Sequence, residues 1–376
     1  MLKVLQLIPT LDRSGAEKQM VLLAKGLPKH RFAVEVAALT RLGPLEVELR
    51  EAQIPVALIG KRHKVDPFAL RSLTRLLKEK QYDIVQTWIF AANTYGRIAA
   101  KLAKTPITIA TEMAVDQWKK PAEFAIDRRL AKWSDKVVGN SKAVVEFYRS
   151  QGIPENKLEC IFSGIGTAEA PLVEREAFRR EFEWPNESVI AIFVGRLAEQ
   201  KAVDDLLRAL DLLRHVRPSL RTLIVGDGPN RELLQAMSKS FELDEYVRFL
   251  GHRDDVPRLI AGSDMLVLPS LYEGLPNVVL EAMRFGKPIV ATSAPGTTEA
   301  VEHEKTGLLS PVRDFKELAR SIRRLVDDPE LARNLGRGGF ERVDQAFRID
   351  DMIERFAALY ETLAREKLPA DRMRRD

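Results

Sequence analysis

The chain has 376 residues, 45% apolar and 30% charged, which is too apolar for disorder and long enough for two domains. One cysteine, Cys160, excludes an internal disulfide framework and fits a reducing compartment. The apolar start MLKVLQLIPTL is too short for a signal peptide, and no run of about 18 apolar residues is present to span a bilayer.

The net charge of +5 is unevenly divided. Residues 1–167 carry 27 Lys/Arg and 17 Asp/Glu (+10), and residues 168–376 carry 32 and 37 (−5). A basic first half implies an anionic partner, either nucleic acid or the anionic cytoplasmic face of a membrane, or else a solvated basic surface.

Short β-branched runs at 4–8, 32–39, 55–60, 83–88, 107–111 and 136–140 read as strands. Amphipathic segments separate them, such as 16–27, where Met20, Leu23, Ala24 and Leu27 share a face. This alternation predicts a parallel sheet covered on both sides. Residues 160–174, with Gly164, Gly166 and Pro171 and no clear period, read as an interdomain linker. The alternation restarts with strands at 189–195, 222–226, 247–251, 265–269 and 288–292. Over 349–367, Ile349, Met352, Ile353, Phe356, Tyr360 and Leu363 form a helical stripe that must pack on something, and the tail beyond it reads as frayed. The expected class is α/β, with two doubly wound domains and a cleft between them. Ligands in such sheets bind beyond the carboxyl ends of the strands.

Two of those strand ends carry suitable chemistry. After Val194 comes GRLAEQK, where Gly195 permits a sharp turn and Arg196 and Lys201 offer cations for phosphoryl oxygens. The plainer alternative pairs Arg196 with a surface acid. After 265–269 comes SLYEGLPNVVLEAM, in which Gly274 allows close backbone approach and Pro276 suits a first helical turn. The N–H groups of Gly274, Leu275, Asn277 and Val278 are then anion donors. Glu273, in the loop, faces sugar hydroxyls. Glu281, two turns into the helix, reaches the paired hydroxyls of a ribose or is a buried acid satisfied by an Arg or Lys.

With these motifs in place the chain resembles the large retaining glycosyltransferase group of the GT-B fold, family 4, whose members carry two glutamates eight positions apart, here Glu273 and Glu281. The resemblance takes in SGAEKQ (14–19), GNSKAV (139–144), GRLAEQK (195–201), VGDGP (225–229), FLGHRDDVPRL (249–259) and PGTTEAVEHEKTGLL (295–309), nearly the whole chain. It implies two Rossmann-like domains: 1–167 binding the acceptor, 168–345 binding the donor, and 346–376 as a helix returning to the first domain plus a basic tail. It also implies transfer of a hexose-type sugar from a nucleotide diphosphate sugar, UDP before GDP, to a glycan or lipid-linked acceptor, with retention of configuration, in cell-surface polysaccharide or glycolipid synthesis. By that analogy Arg196 and Lys201 contact the diphosphate, Glu281 the ribose, and Glu273 the transferred sugar. Gly15 approaches the donor phosphates, and the segment ending at His252 flanks the base. The resemblance implies no metal or other cofactor and no nucleic-acid partner, at a cytoplasmic location on or near the inner face of the membrane.

The chain departs from the family pattern in its first half. Ser14 replaces a frequent glycine. Relatives often place a histidine where Trp88 stands, and another near Glu112 or Met113. His30, His63, His215, His252 and His303 match neither place. Glu112 is then the group expected to orient the acceptor, with a purely structural role as the alternative. The basic run KRHK (61–64) and the stretch 118–133, with Trp118, Phe124 and Trp133, read as a surface for anionic lipid or as an ordinary amphipathic helix with snorkelling cations. VGDGPN (225–230) superficially matches a dinucleotide fingerprint but has Arg231 at the third glycine position. The rival readings are a sugar-nucleotide epimerase or hydrolase on the same scaffold, and a non-catalytic sugar-nucleotide or membrane-surface binding protein.

Overall fold

The computed structural model describes residues 1–166 and 170–369. The first sheet contains β1 (Leu2–Thr10), β2 (Phe32–Arg41), β3 (Val56–Leu58), β4 (Ile84–Trp88), β5 (Ile107–Glu112), β6 (Lys136–Gly139) and β7 (Leu158–Cys160), in the order β3-β2-β1-β4-β5-β6-β7. The second contains β8 (Val189–Val194), β9 (Leu220–Val225), β10 (Val247–Gly251), β11 (Met265–Leu268), β12 (Ile289–Thr292) and β13 (Gly307–Ser310), in the order β10-β9-β8-β11-β12-β13. Every pairing is parallel. Each sheet reverses its winding once, between β1 and β4 and between β8 and β11. Loops at such reversals diverge and leave room for a ligand.

The strands are apolar runs because helices bury both faces. In β1, Val4 and Ile8 join the core under the Gly15–Gly26 and Ile349–Lys367 helices, while Leu5 and Leu7 join the core under the opposite face. Between Val4 and Ile8, buried Gln6 donates to Tyr360 Oη at 2.9 Å and accepts from Trp88 Nε1 at 2.7 Å. A buried amide must find partners, so this relay fixes where the last helix lies on the sheet. Met352, Phe356, Tyr360 and Leu363 of that helix are buried, as its stripe predicts.

The chain forms two compact units. One is Met1–Gly164 with the helix that begins at Ile349; the other is Ile165–Arg348. The two strand-like passages at the boundary pair with each other, Ile165 N–H donating to Phe347 O at 2.8 Å. The segment read as a linker begins too early, since Cys160 lies in β7 and pairs with Gly139. Residues 167–169 of that segment, and the tail from 370, lie outside the described residues. No helix among the described residues is long and apolar enough to cross a membrane.

Candidate functional site

In the second unit the reversal between β8 and β11 brings two loops together. After β8 the chain turns through Gly195 and Arg196 into a short 3-10 turn, Glu199–Lys201, which ends on Ala202 in the left-handed region (φ 44°). Gln200 then ties this turn to the loop after β11. Its carbonyl accepts from Leu271 N–H at 2.8 Å, and its amide donates to Tyr272 O at 2.8 Å. The result is an ion pair between Lys201 Nζ and Glu273 Oε1 at 2.5 Å, with side chains only 16% and 8% exposed. The sequence marks both residues, with separate roles. The fold joins them across 72 positions. An ammonium has three donors, so Lys201 keeps two for an anion while it orients Glu273.

Arg196 is exposed and has no ion pair among the described residues. The helix Asn277–Arg284 begins at Pro276 without a side-chain cap, and the N–H groups of Gly274, Leu275 and Val278 donate to nothing among the described residues. These groups carry partial positive charge at a helix start. Glu281 is half-buried within that helix.

Glycines outside the set predicted from sequence hold these loops. Gly296 has φ 77°, and any side chain there would strike the Gly274 carbonyl, while Glu273 N–H donates to Pro295 O at 3.2 Å. The loop after β12 therefore packs closely against Glu273 and Gly274. A side chain at Gly226 or Gly228 would collide with the backbone of Gly195 or Leu197. The glycines of VGDGPN thus serve the nesting of one loop against another, which removes their resemblance to a dinucleotide fingerprint. His252 is exposed on the loop after β10, with Asp254 3.9 Å away.

In the first unit, Gly15 is exposed at the start of its helix, and Ser14 donates to buried Glu17, which also accepts from Thr10 at 3.1 Å. Burial raises the Glu17 carboxyl in spite of these bonds. Trp88, where the family resemblance leads one to expect histidine, is a core residue: its N–H is held by Gln6 and its ring lies against Phe356, with centroids 6.2 Å apart.

Glu112 ends β5 and is 1% exposed, so it lies beneath the surface. It belongs to a buried cluster around Lys119, whose Nζ lies 2.9 Å from Asp116, 2.9 Å from Asp127 and 3.8 Å from Glu112. Lys119 also donates to Tyr148 at 2.6 Å, and Arg97 pairs with Asp127 at 2.6 Å. Three carboxylates face two cations here. Glu112 Oε2 has no hydrogen-bond partner among the described residues. Burial pushes its carboxyl up to about 7, against the pull of Lys119. A carboxylate so enclosed holds the loop after β5 and does not meet a dissolved acceptor directly. Among the described residues there is no cluster of three or more His, Cys, Asp or Glu suited to a metal ion.

Two parallel doubly wound units, each with its loops gathered at a sheet reversal, are the GT-B architecture. The structure superposes on Anabaena HepE in complex with UDP-glucose with a TM-score of 0.87, at 23% identity, over 96% of this chain and 100% of that one. A sucrose-phosphate synthase from Thermosynechococcus elongatus gives 0.81 at 20% identity, over 97% and 100%. Two family models match consecutive portions of the sequence, Glycosyltransferase Family 4 over residues 13–169 and Glycosyl transferases group 1 over residues 174–342. The chain belongs to the group 1 glycosyltransferases. It is 27% identical to the N,N'-diacetylbacillosaminyl-diphospho-undecaprenol alpha-1,3-N-acetylgalactosaminyltransferase of Campylobacter jejuni, over 80% of this chain and 83% of that one. It is likewise 27% identical to the UDP-Gal:alpha-D-GlcNAc-diphosphoundecaprenol alpha-1,3-galactosyltransferase of Escherichia coli, over 92% and 95%.

Proposed function

We propose that the chain transfers a hexose-type sugar from a UDP-sugar to a glycan or lipid-linked acceptor, with retention of configuration, in cell-surface polysaccharide or glycolipid synthesis. The observation that carries this reading is the Lys201–Glu273 pair beside unpaired Arg196 and the open amides of Gly274, Leu275 and Val278. Cations and amides beside an oriented carboxylate suit a diphosphate linked to a sugar. The choice of UDP follows the HepE complex and the Escherichia coli relative, and the lipid-linked acceptor follows the names of both relatives.

In this reading Arg196, Lys201 and the three amides stabilise the negative charge that develops on the departing diphosphate. The bond from the anomeric carbon to the β-phosphate oxygen breaks, and the acceptor oxygen bonds to that carbon from the same face. The acceptor's proton passes to the departing phosphate oxygen, so no dedicated base is required. Glu273 accepts hydrogen bonds from the sugar, and Glu281 from the ribose. Gly195 keeps the loop close to the diphosphate, Asn277 adds a further amide, and the segment ending at His252 flanks the base. The first unit binds the acceptor. Glu112 acts as a positioning residue through the loop it shares with Lys119. The reaction uses no metal, and the protein works at the cytoplasmic face of the membrane.

The reading is tested by thermal shift with UDP and GDP and by NMR of the product. UDP is expected to raise Tm, Arg196→Ala to abolish most of the rise, and the product to keep the donor's anomeric configuration. No stabilisation by either nucleotide defeats the donor-site assignment, and an inverted product defeats the stereochemical one.

A further inference from the structure

The basic run at 61–64 has no part in the donor chemistry, and its surroundings are unusual. Residues 61–78 hold six Lys/Arg and a single acid, Asp66. Asp66 is consumed by the backbone: it accepts from Ala69 N–H at 3.0 Å and from Arg62 N–H at 2.9 Å, capping the helix Pro67–Lys80. These bonds hold its carboxyl below the usual range. Lys61 lies over the Tyr95 ring, 5.2 Å from its centroid. The remaining five cations, Arg62, Lys64, Arg71, Arg75 and Lys78, are exposed, and no side-chain charge pairs with them among the described residues.

Two apolar side chains stand among these charges. Phe68 is 85% exposed and Val65 79%. On the helix, positions 68, 71, 75 and 78 share one stripe, so the phenyl ring leads a row of three cations. Arg71, Arg75 and Lys78 line a groove of about 620 Å³ whose lining includes Leu102, itself 54% exposed, with Glu79 as its one carboxylate. Two apolar tips are far too little surface for a stable protein interface. An apolar tip with a row of unpaired cations behind it does match a bilayer, where acyl chains take the tip and lipid phosphates take the charges.

We propose that this face is where the protein lies on an anionic phospholipid bilayer. Val65 and Phe68 enter the boundary between headgroups and acyl chains, and the 71/75/78 row sits on lipid phosphates. The proposal deepens the reading of a lipid-linked acceptor given above and rests on it for its purpose, though the surface can be tested without it. The stretch 118–133 contributes less, because Lys119 is withdrawn into the buried cluster and Trp118 is pinned to Asp116 and Phe90.

The test is co-sedimentation of the full chain with vesicles of phosphatidylglycerol and phosphatidylcholine, or of phosphatidylcholine alone. Binding is expected only with phosphatidylglycerol and is expected to weaken as salt rises from ~0.1 to ~0.5 M. At about fivefold per cation, the triple change R71Q/R75Q/K78Q should weaken it on the order of 100-fold. Phe68→Ser should weaken it by roughly tenfold or more. Equal binding to neutral vesicles, no binding at all, or binding undiminished in either variant would overturn the proposal. Inorganic diphosphate that stabilises the wild type but not the triple variant, without vesicle binding, would also overturn it by assigning the groove to a soluble phosphate. A UDP thermal shift on the same samples separates the two readings. A variant that loses vesicles but keeps the UDP shift supports the surface. Wild type that binds vesicles without any UDP shift supports the surface and defeats the donor site.

Discussion

Lys201→Ala isolates the central pair of the donor site. The substitution leaves the Glu273 carboxylate, whose side chain is 8% exposed, without its cation. Removing one partner of a buried ion pair costs about 3–5 kcal/mol. Since Lys201 keeps 16% of its surface in water, the lower end applies, about 3 kcal/mol. For a unit the size of Ile165–Arg348 that cost lowers Tm by roughly 6–12 °C. Glu273→Ala alone should cost less, because the flexible stem of Lys201 can turn its ammonium outward to water. The double variant should be no less stable than Lys201→Ala, with a coupling of ~2 kcal/mol. Urea unfolding of the four proteins, followed by far-UV circular dichroism, measures the cycle. Single costs that add within ~0.5 kcal/mol would refute the pair as an energetic unit. In the same set, Glu273→Ala should still bind UDP yet lose transfer; retained turnover would refute its role at the sugar.

The other expectations are narrower. Glu112 has a carboxyl raised from the ordinary 4.5 to about 7, so the folded protein holds that proton more tightly than the unfolded chain. Its stabilising effect is full below pH 4.5 and is lost as pH rises to about 7, a loss on the order of 3 kcal/mol that Glu112→Gln should remove. Denaturant titrations at pH 4.5 and pH 8 check the sign; a variant with an unchanged slope across that window contradicts it. Trp88→His, which supplies the residue the family resemblance leads one to expect, should cost about 3–5 kcal/mol without raising turnover, because it opens the core beside Phe356 and strands Gln6. Gly296→Ala should shrink the UDP-dependent rise in Tm by displacing the Glu273–Gly274 backbone, and an undiminished rise would contradict that support. Transfer should persist in EDTA, and loss of activity restored by a divalent ion would overturn the metal-free reading.

The long strands were legible because a parallel sheet covered on both faces writes them as near-continuous apolar runs, as in VIAIFV and, with Gln6 as its one polar member, VLQLI. β7 and β13 were not, since Leu158–Cys160 and Gly307–Ser310 are too short to show a period and exist through pairing with a neighbour. Arg196, Lys201, Glu273 and the amides after it were visible as glycine, charge and helix start at strand ends. The contact between Lys201 and Glu273 was not visible, because a fold-level reversal makes it rather than local spacing. Lys119 shows the same limit. In the sequence it reads as one more exposed cation, yet the ends of β5 and the Pro121–Ala131 helix bring carboxylates to it from 112, 116 and 127.

The returning helix has a consequence for synthesis. Residues 165–348 are contiguous, so the second unit can fold as soon as it leaves the ribosome. The first unit is made earlier but remains unfinished, with Gln6 and the groove beside Val4 and Ile8 uncovered until Tyr360 and its neighbours arrive. Residues 349–367 are translated after the whole of the second unit and close the first, so a chain cut short after 348 would leave an apolar face open on the nascent half.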